Sequence, residues 1–348
     1  METIWFVIIG VLFTLFVTLD GFDFGAGIIL RLVAETDAER RLVLNAMGPV
    51  WDGNEVWLII AGGALFFAFP TMYASAFSGF YLALILLLWL LMFRGLSMEL
   101  RSQLASPLWR SFWDSMLMIG SLSIAAVLGA ALGNLLRGVP LQADGYFFEP
   151  LWTDFLVGTH PGLLDWYTLL VAVFVVVVCT WHGANFLAMK TEGAVQDRAR
   201  TISRGMGWQV ALLSVVMPIA TYVARPDVFQ NFERFPMGLI LPGLTYAAIF
   251  AGILLCRRQV DFGAFAASAA SIVFLMFSSG FTLYPNVLNA TISPDNTLTI
   301  YNTATSPYAL RTGLGWFAVG AILAAAYTIF MYRSFRGKVS LPKEGEGY

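Results

Sequence analysis

The sequence predicts an all-α polytopic membrane protein with nine transmembrane helices, and three observations predict it. Of 348 residues, 58% are hydrophobic and only 12% are charged, where soluble domains carry roughly a quarter. The apolar residues fall in long uncharged runs of the length that crosses a bilayer, about 20 residues each. The basic residues gather in alternate loops. Twenty Lys+Arg and 22 Asp+Glu cannot cover a soluble body of this size. This excludes a soluble enzyme, a nucleic-acid binder and a disordered chain.

The uncharged runs lie at 3–19, 57–93, 115–136, 166–189, 205–224, 235–256, 262–294 and 312–332. The first continues past two aspartates to about 30. The second is too long for one span, and Pro70-Thr71 divides it into a hairpin. Tyr284-Pro285-Asn286 and a Ser/Thr/Asn tract shorten the seventh. The expected helices are therefore 3–30, 50–69, 72–94, 112–136, 163–190, 203–224, 237–257, 262–284 and 311–333. No Lys or Arg precedes Arg31, so the first helix reads as a retained span rather than a signal peptide.

Sixteen of the twenty basic residues fall in the odd-numbered loops and the C-terminal tail; Arg137, Arg225, Arg234 and Arg311 make up the other side. By the positive-inside rule the N-terminus is outside and the C-terminus cytoplasmic. Two longer outer segments, about 137–162 and 285–310, are polar and without helical periodicity.

A carboxylate in mid-span costs about 2.5–3.5 kcal/mol, so each is a functional candidate. Asp20 and Asp23 lie within the first helix, three apart and so roughly 5–6 Å from each other on one face. Asp52 and Glu55 form a second such pair at the inner start of the second helix. Glu99 lies at the inner end of the third, Asp114 at the inner start of the fourth. Close like charges in a partly dry site cannot all stay ionised, so some exchange protons near neutral pH. The competing reading is ion pairing with Arg31, Arg94, Arg101 or Arg110, and it weighs most for Glu99 and Asp114. Asp20 and Asp23 have no basic neighbour along the chain.

Other features read as structural. Gly21 with Gly25, and Gly129 with Gly133, are spaced for close helix packing, and Gly62-Gly63 can serve the same end. Trp109, Trp113, Trp152, Trp166 and Tyr167 read as interface anchors. Cys179 and Cys256 lie in apolar runs and offer no disulfide framework or metal site. His160 and His182 are the only histidines; His182 reads as a hydrogen-bonded residue between helices before it reads as a haem ligand. No phosphate loop or nucleophile elbow is present.

The ordered set Thr18-Leu19-Asp20-Gly21-Phe22-Asp23-Phe24-Gly25, Trp51-Asp52-Gly53-Asn54-Glu55-Val56-Trp57-Leu58, Ala61-Gly62-Gly63-Ala64-Leu65-Phe66 and Ala76-Phe77-Ser78-Gly79-Phe80-Tyr81 resembles subunit II of the cytochrome bd quinol oxidases. The likeness continues through Phe93-Arg94, Glu99-Leu100-Arg101-Ser102 and His182-Gly183-Ala184, and covers essentially the whole chain. The resemblance implies two four-helix bundles, over 1–136 and 163–285, a peripheral ninth helix over 311–334 and a cytoplasmic tail, 335–348. It implies a multi-pass protein of the bacterial inner membrane, paired with a larger subunit I and joined in some complexes by small single-helix subunits, with lipid around it. In that family subunit I holds the haems, of b and d type, and oxidises quinol while O₂ is reduced to water; none of these cofactors falls to this chain. Subunit II contributes an acidic path for cytoplasmic protons, and Asp52 matches its best-known position, with Asp20, Asp23 and Glu99 at neighbouring ones. Glu55 stands where relatives often carry Gln, and Tyr301-Asn302 where Trp-Asp is expected, so that loop is assigned no role. The alternative reading of the intramembrane carboxylates is a proton-coupled secondary transporter, whose broken helices Pro218 and Pro242 would suit; a scaffold with purely structural ion pairs is a third.

Overall fold

The computed structural model describes residues 1–340. Lys343, counted above among the cytoplasmic bases, and the rest of the tail after 340 lie outside the described residues. Twelve helices follow one another: α1 (Glu2–Val33), α2 (Asp37–Met47), α3 (Trp51–Ala68), α4 (Pro70–Gly79), α5 (Tyr81–Leu100), α6 (Pro107–Arg137), α7 (Trp166–Lys190), α8 (Ala194–Ala224), the short α9 (Gln230–Arg234), α10 (Ile240–Arg257), α11 (Asp261–Leu283) and α12 (Pro307–Ser334). Eight of them, α1, α5, α6, α7, α8, α10, α11 and α12, are long and apolar enough to cross a membrane. The second expected span is present as α3, but Asp52, Asn54 and Glu55 in its first turns make it too polar to count with the eight. Length and composition thus give eight spans where the sequence alone suggested nine.

Two elements were not anticipated. α2 occupies what reads as a loop; Thr36 Oγ1 accepts from the Glu39 amide at 3.2 Å while Glu39 Oε2 accepts from the Thr36 amide at 3.1 Å, the reciprocal cap that starts a helix. Leu42, Val43, Leu44 and Met47 then bury against the bundle. A small antiparallel ladder, β1 (Asn286–Leu288) with β2 (Leu298–Thr299), interrupts the otherwise all-α chain after α11. The expected hairpin at Pro70 is a turn into α4, followed by α5.

α1 is the centre of the bundle, packed on α3, α6, α7 and α11; α7 packs in turn on α6 and α8, and α10 on α8 and α11. Small residues allow these approaches. A Cβ on Gly25 would fall 2.8 Å from the Gly183 amide nitrogen and one on Gly183 2.3 Å from the Gly25 carbonyl carbon, so α1 and α7 cross backbone to backbone. Gly129 and Gly133 do the same for α6 against Ala172 and Thr168 of α7. Gly62 and Gly63 do not: no described atom lies within 4 Å of where their Cβ atoms would be. Tyr167 and Trp113 are also interior rather than interfacial. Tyr167 is fully buried and hydrogen-bonds Thr221 at 3.0 Å, whereas Trp152 is exposed. Pro218 sits inside the unbroken α8 and Pro242 in the first turn of α10, so neither divides a helix.

Candidate functional site

The N-terminal end of α3 meets the C-terminal halves of α1 and α5 at the end of the molecule that carries most of the basic residues. α1 remains helical through Asp20-Gly21-Phe22-Asp23-Phe24-Gly25-Ala26-Gly27, and this entire segment is buried. Asp20 and Asp23 are therefore interior carboxylates, and the structure shows what faces each.

Arg94 of α5 grips Asp20 in a two-pronged pair, Nη2 to Oδ1 at 2.5 Å and Nη1 to Oδ2 at 3.0 Å. Nη1 also reaches Glu55 Oε2 at 3.4 Å, and the guanidinium lies over the Phe24 ring, 4.5 Å from its centre. Asp23 turns instead to α3: Asn54 Nδ2 donates to Asp23 Oδ2 at 2.7 Å and to the Leu19 carbonyl at 3.1 Å. Tyr332 of α12 donates to Asn54 Oδ1 at 2.8 Å. Asp23 Oδ1 is buried without a hydrogen-bond partner among the described residues. One guanidinium thus serves three carboxyl groups, Asp20, Glu55 and Asp23 nearby, and cannot neutralise all three. The surplus is held as charge or as bound protons, and the unpartnered Asp23 oxygen is the acceptor that these hydrogen bonds leave unused.

The other acidic candidates divide. Asp52 is exposed at the start of α3 and Glu55, one turn on, is half-buried. Asp114 is fully buried in a structural net: Arg101 Nε donates to it at 2.5 Å, Arg40 at 3.3 Å, and Asp37 links Arg101 to Arg110 at 2.8 Å each. Ion pairing accounts for Asp114. Glu99 is exposed and in no ion pair among the described residues. Asp20 is paired as well, contrary to what its sequence neighbours suggest, because its partner stands 74 residues away. Sequence reasoning named Arg94 only as a generic partner and passed over Tyr332; neither role is visible without knowing that α5 and α12 flank α1 and α3.

His182 gives no opening to a metal. Its Nδ1 is 2.7 Å from Ser268 Oγ, its Nε2 is 3.0 Å from the Thr18 carbonyl oxygen, and its ring stacks on Phe265 at 4.9 Å. Both ring nitrogens are used, so the imidazole joins α7 to α11 and α1 and does not fit a haem ligand. No group of three His, Cys, Asp or Glu among the described residues could hold a metal ion. Cys179 and Cys256 are free and buried.

At the opposite end a second buried ionic net closes the 138–165 segment. Arg137 donates to Glu149 Oε1 at 2.7 Å, to Asp165 and to Asn134 Oδ1 at 2.5 Å. Asp165 also caps α7 through the Tyr167 and Thr168 amides, 2.8 Å each.

Fold and site together define a multi-pass membrane protein with an ionisable cluster in its interior and no metal-binding group of its own among the described residues. The chain belongs to the cytochrome bd terminal oxidase subunit II family, whose model matches residues 1–335. It is 34% identical to the probable cytochrome oxidase subunit 2 of Haemophilus influenzae over 97% of this chain and 95% of that one. It is 32% identical to the cytochrome bd-I ubiquinol oxidase subunit 2 of Escherichia coli K12, covering 98% and 95%, and 30% identical to the cytochrome bd ubiquinol oxidase subunit 2 of Bacillus subtilis, covering 98% and 97%. The structure of bd oxidase from Geobacillus thermodenitrificans matches in fold, with a TM-score of 0.74 at 19% identity over 96% of this chain and 98% of that one. The chain is accordingly a subunit of a bd-type quinol oxidase in the bacterial inner membrane, and the transporter reading is set aside.

Proposed function

We propose that this subunit supports a haem-bearing subunit I and conducts cytoplasmic protons toward it, while quinol oxidation and the reduction of O₂ to water take place on haems b and d held by that partner. The observation that carries the proton role is the gradient of burial along one line of acids. Asp52 is exposed, Glu55 half-buried, and Asp20 and Asp23 are buried, with Asp23 Oδ1 open. Asp52 receives protons at the surface, Glu55 and the Arg94–Asp20 pair hold them at the threshold, and Asp23 offers the interior acceptor. Asn54, fixed by Tyr332, keeps the Asp23 carboxylate turned toward α3. Glu99 adds negative charge on the same face. Chains of intramembrane carboxylates are the usual means of moving protons through part of a bilayer.

The haem assignment rests on His182, whose ring nitrogens are both occupied, and on His160, which lies exposed in the 138–165 segment. The sixteen-to-four distribution of bases favours an outer N-terminus and a cytoplasmic C-terminus. With α3 counted as a crossing, the described residues hold nine spans. α1, α3, α5 and α6 form one four-helix bundle, α7, α8, α10 and α11 the other, and α12 stands at the edge. The uncovered Gly62-Gly63 face of α3 and the scantly buried α12 leave surface for subunit I, for single-helix accessory subunits and for lipid.

The test is Asp52→Asn in the assembled oxidase. Quinol-driven O₂ consumption is expected to fall by about 10²-fold, the scale of a lost proton-transferring group, with haem spectra unchanged. Full turnover in that variant removes Asp52 from the path.

A further inference from the structure

Where α7 and α12 end together, the structure forms a partly open pocket of about 720 Å³. Its lining includes Phe186, Phe262 and Phe265 and the basic Lys190, Arg336 and Lys338. Among the described residues no Asp or Glu lines it. The segment after α12 is strapped over it: Lys190 Nζ donates to the Phe335 and Gly337 carbonyls at 2.7 and 3.0 Å, and the Val339 amide donates to the Lys190 carbonyl at 2.8 Å. The half-buried Lys190 ammonium therefore has carbonyl partners but no counter-ion among the described residues. Arg336 likewise forms no ion pair there, and Lys338 meets only Glu192, at 3.7 Å with both groups solvent-exposed, a pairing worth little.

Three cations whose one counter-ion among the described residues is the distant Glu192, around a pocket with aromatic lining at the face where the helices leave the membrane, call for a ligand that is both anionic and apolar. We propose that this cavity binds the headgroup of an anionic phospholipid, with its acyl chains toward the phenylalanines. Basic pockets between helices on the cytoplasmic side are suited to such headgroups. A free phosphate would satisfy the cations but has no use for the phenylalanines. Tyr332 forms part of the wall, and its hydroxyl donates to Asn54, which holds Asp23. An occupant of the pocket thus bears on the residue that orients the buried carboxylate; this coupling, unlike the binding itself, rests on the proton path proposed above.

The experiment uses the whole oxidase complex, purified in mild detergent, and native mass spectrometry with added phosphatidylglycerol, phosphatidylcholine or inorganic phosphate. The variant R336Q/K338Q leaves the Lys190 strap in place and removes two exposed cations. Phosphatidylglycerol is expected to bind more tightly than phosphatidylcholine, and the variant to weaken it about fivefold per cation removed. Equal affinity for phosphatidylcholine, an unchanged variant, or displacement by phosphate at equal concentration overturns the site. Turnover is compared in nanodiscs of either lipid: faster turnover in phosphatidylglycerol for the native complex, absent in R336Q/K338Q, supports the coupling. Binding without that difference overturns the coupling and leaves the site standing. Failure of Asp52→Asn to slow turnover would instead strike the proton path and leave the binding result untouched.

Discussion

Arg94 on α5 holds Asp20 on α1 through both carboxylate oxygens, at 2.5 and 3.0 Å, and neither side chain is more than 2% exposed. Taking two charges from water is costly, and a buried pair of this kind is kept together because each member alone is worse. Arg94→Gln would strand the Asp20 carboxylate. The expected loss is about 3–5 kcal/mol, read as a lower thermal midpoint and a lower yield of assembled oxidase. The double variant D20N/R94Q removes both charges and should recover most of that loss. A double variant no better than the single one would mean that Arg94 acts chiefly through its packing on Phe24.

His182 braces three helices, with both of its ring nitrogens in hydrogen bonds. In His182→Gln the haem content per complex should be unchanged, as measured by the pyridine haemochrome spectrum. Stability should fall by about 1–3 kcal/mol, because Ser268 Oγ or the Thr18 carbonyl would lose its buried partner. A proportional loss of haem would contradict the reading.

Glu149, in the segment between α6 and α7, makes one hydrogen bond to Arg137 while its other carboxylate oxygen is buried without a partner. Burial pushes its carboxyl up to about 7, against the opposing pull of Arg137 and with Asp165 adding to the rise. A carboxyl that holds its proton more firmly folded than unfolded contributes stability that is fully present below its ordinary value near 4.5 and is lost as the pH rises through about 7. Thermal midpoints of the native complex measured from pH 5 to pH 8 should therefore decline across that window relative to Glu149→Gln. Parallel curves for the two proteins would show that Glu149 does not titrate there.

Much of the carboxylate site was legible in the order of residues. Asp20 and Asp23 stand out because acids are rare in apolar runs, and Glu55 because it follows Asp52 at helical spacing where a span begins. Their partners were not legible. Asn54 sat unremarked inside a motif, Tyr332 lies 278 residues away from it, and the pairing of Asp20 with Arg94 depends on which helix neighbours α1. α2 had a readable signal, the Thr36 and Glu39 capping pair, masked by the charges around it. The Gly62-Gly63 pattern was misleading in the opposite sense: small residues permit close packing, and only the neighbours decide whether anything packs there.

By itself the sequence determined that the chain lives in a membrane, about where its helices run, and that its bases gather in alternate loops. Those properties follow from local composition, because a bilayer sorts segments by the cost of burying charge and unpaired backbone. Tertiary structure alone decided which carboxylate is neutralised, which is left open, and that His182 has no free nitrogen. It also decided that Lys190, Arg336 and Lys338 line one pocket. Each of these is a relation between helices distant in the chain, set by backbone approaches such as that of Gly25 to Gly183, and short-range electrostatics and hydrogen bonds follow from those approaches and not from sequence spacing.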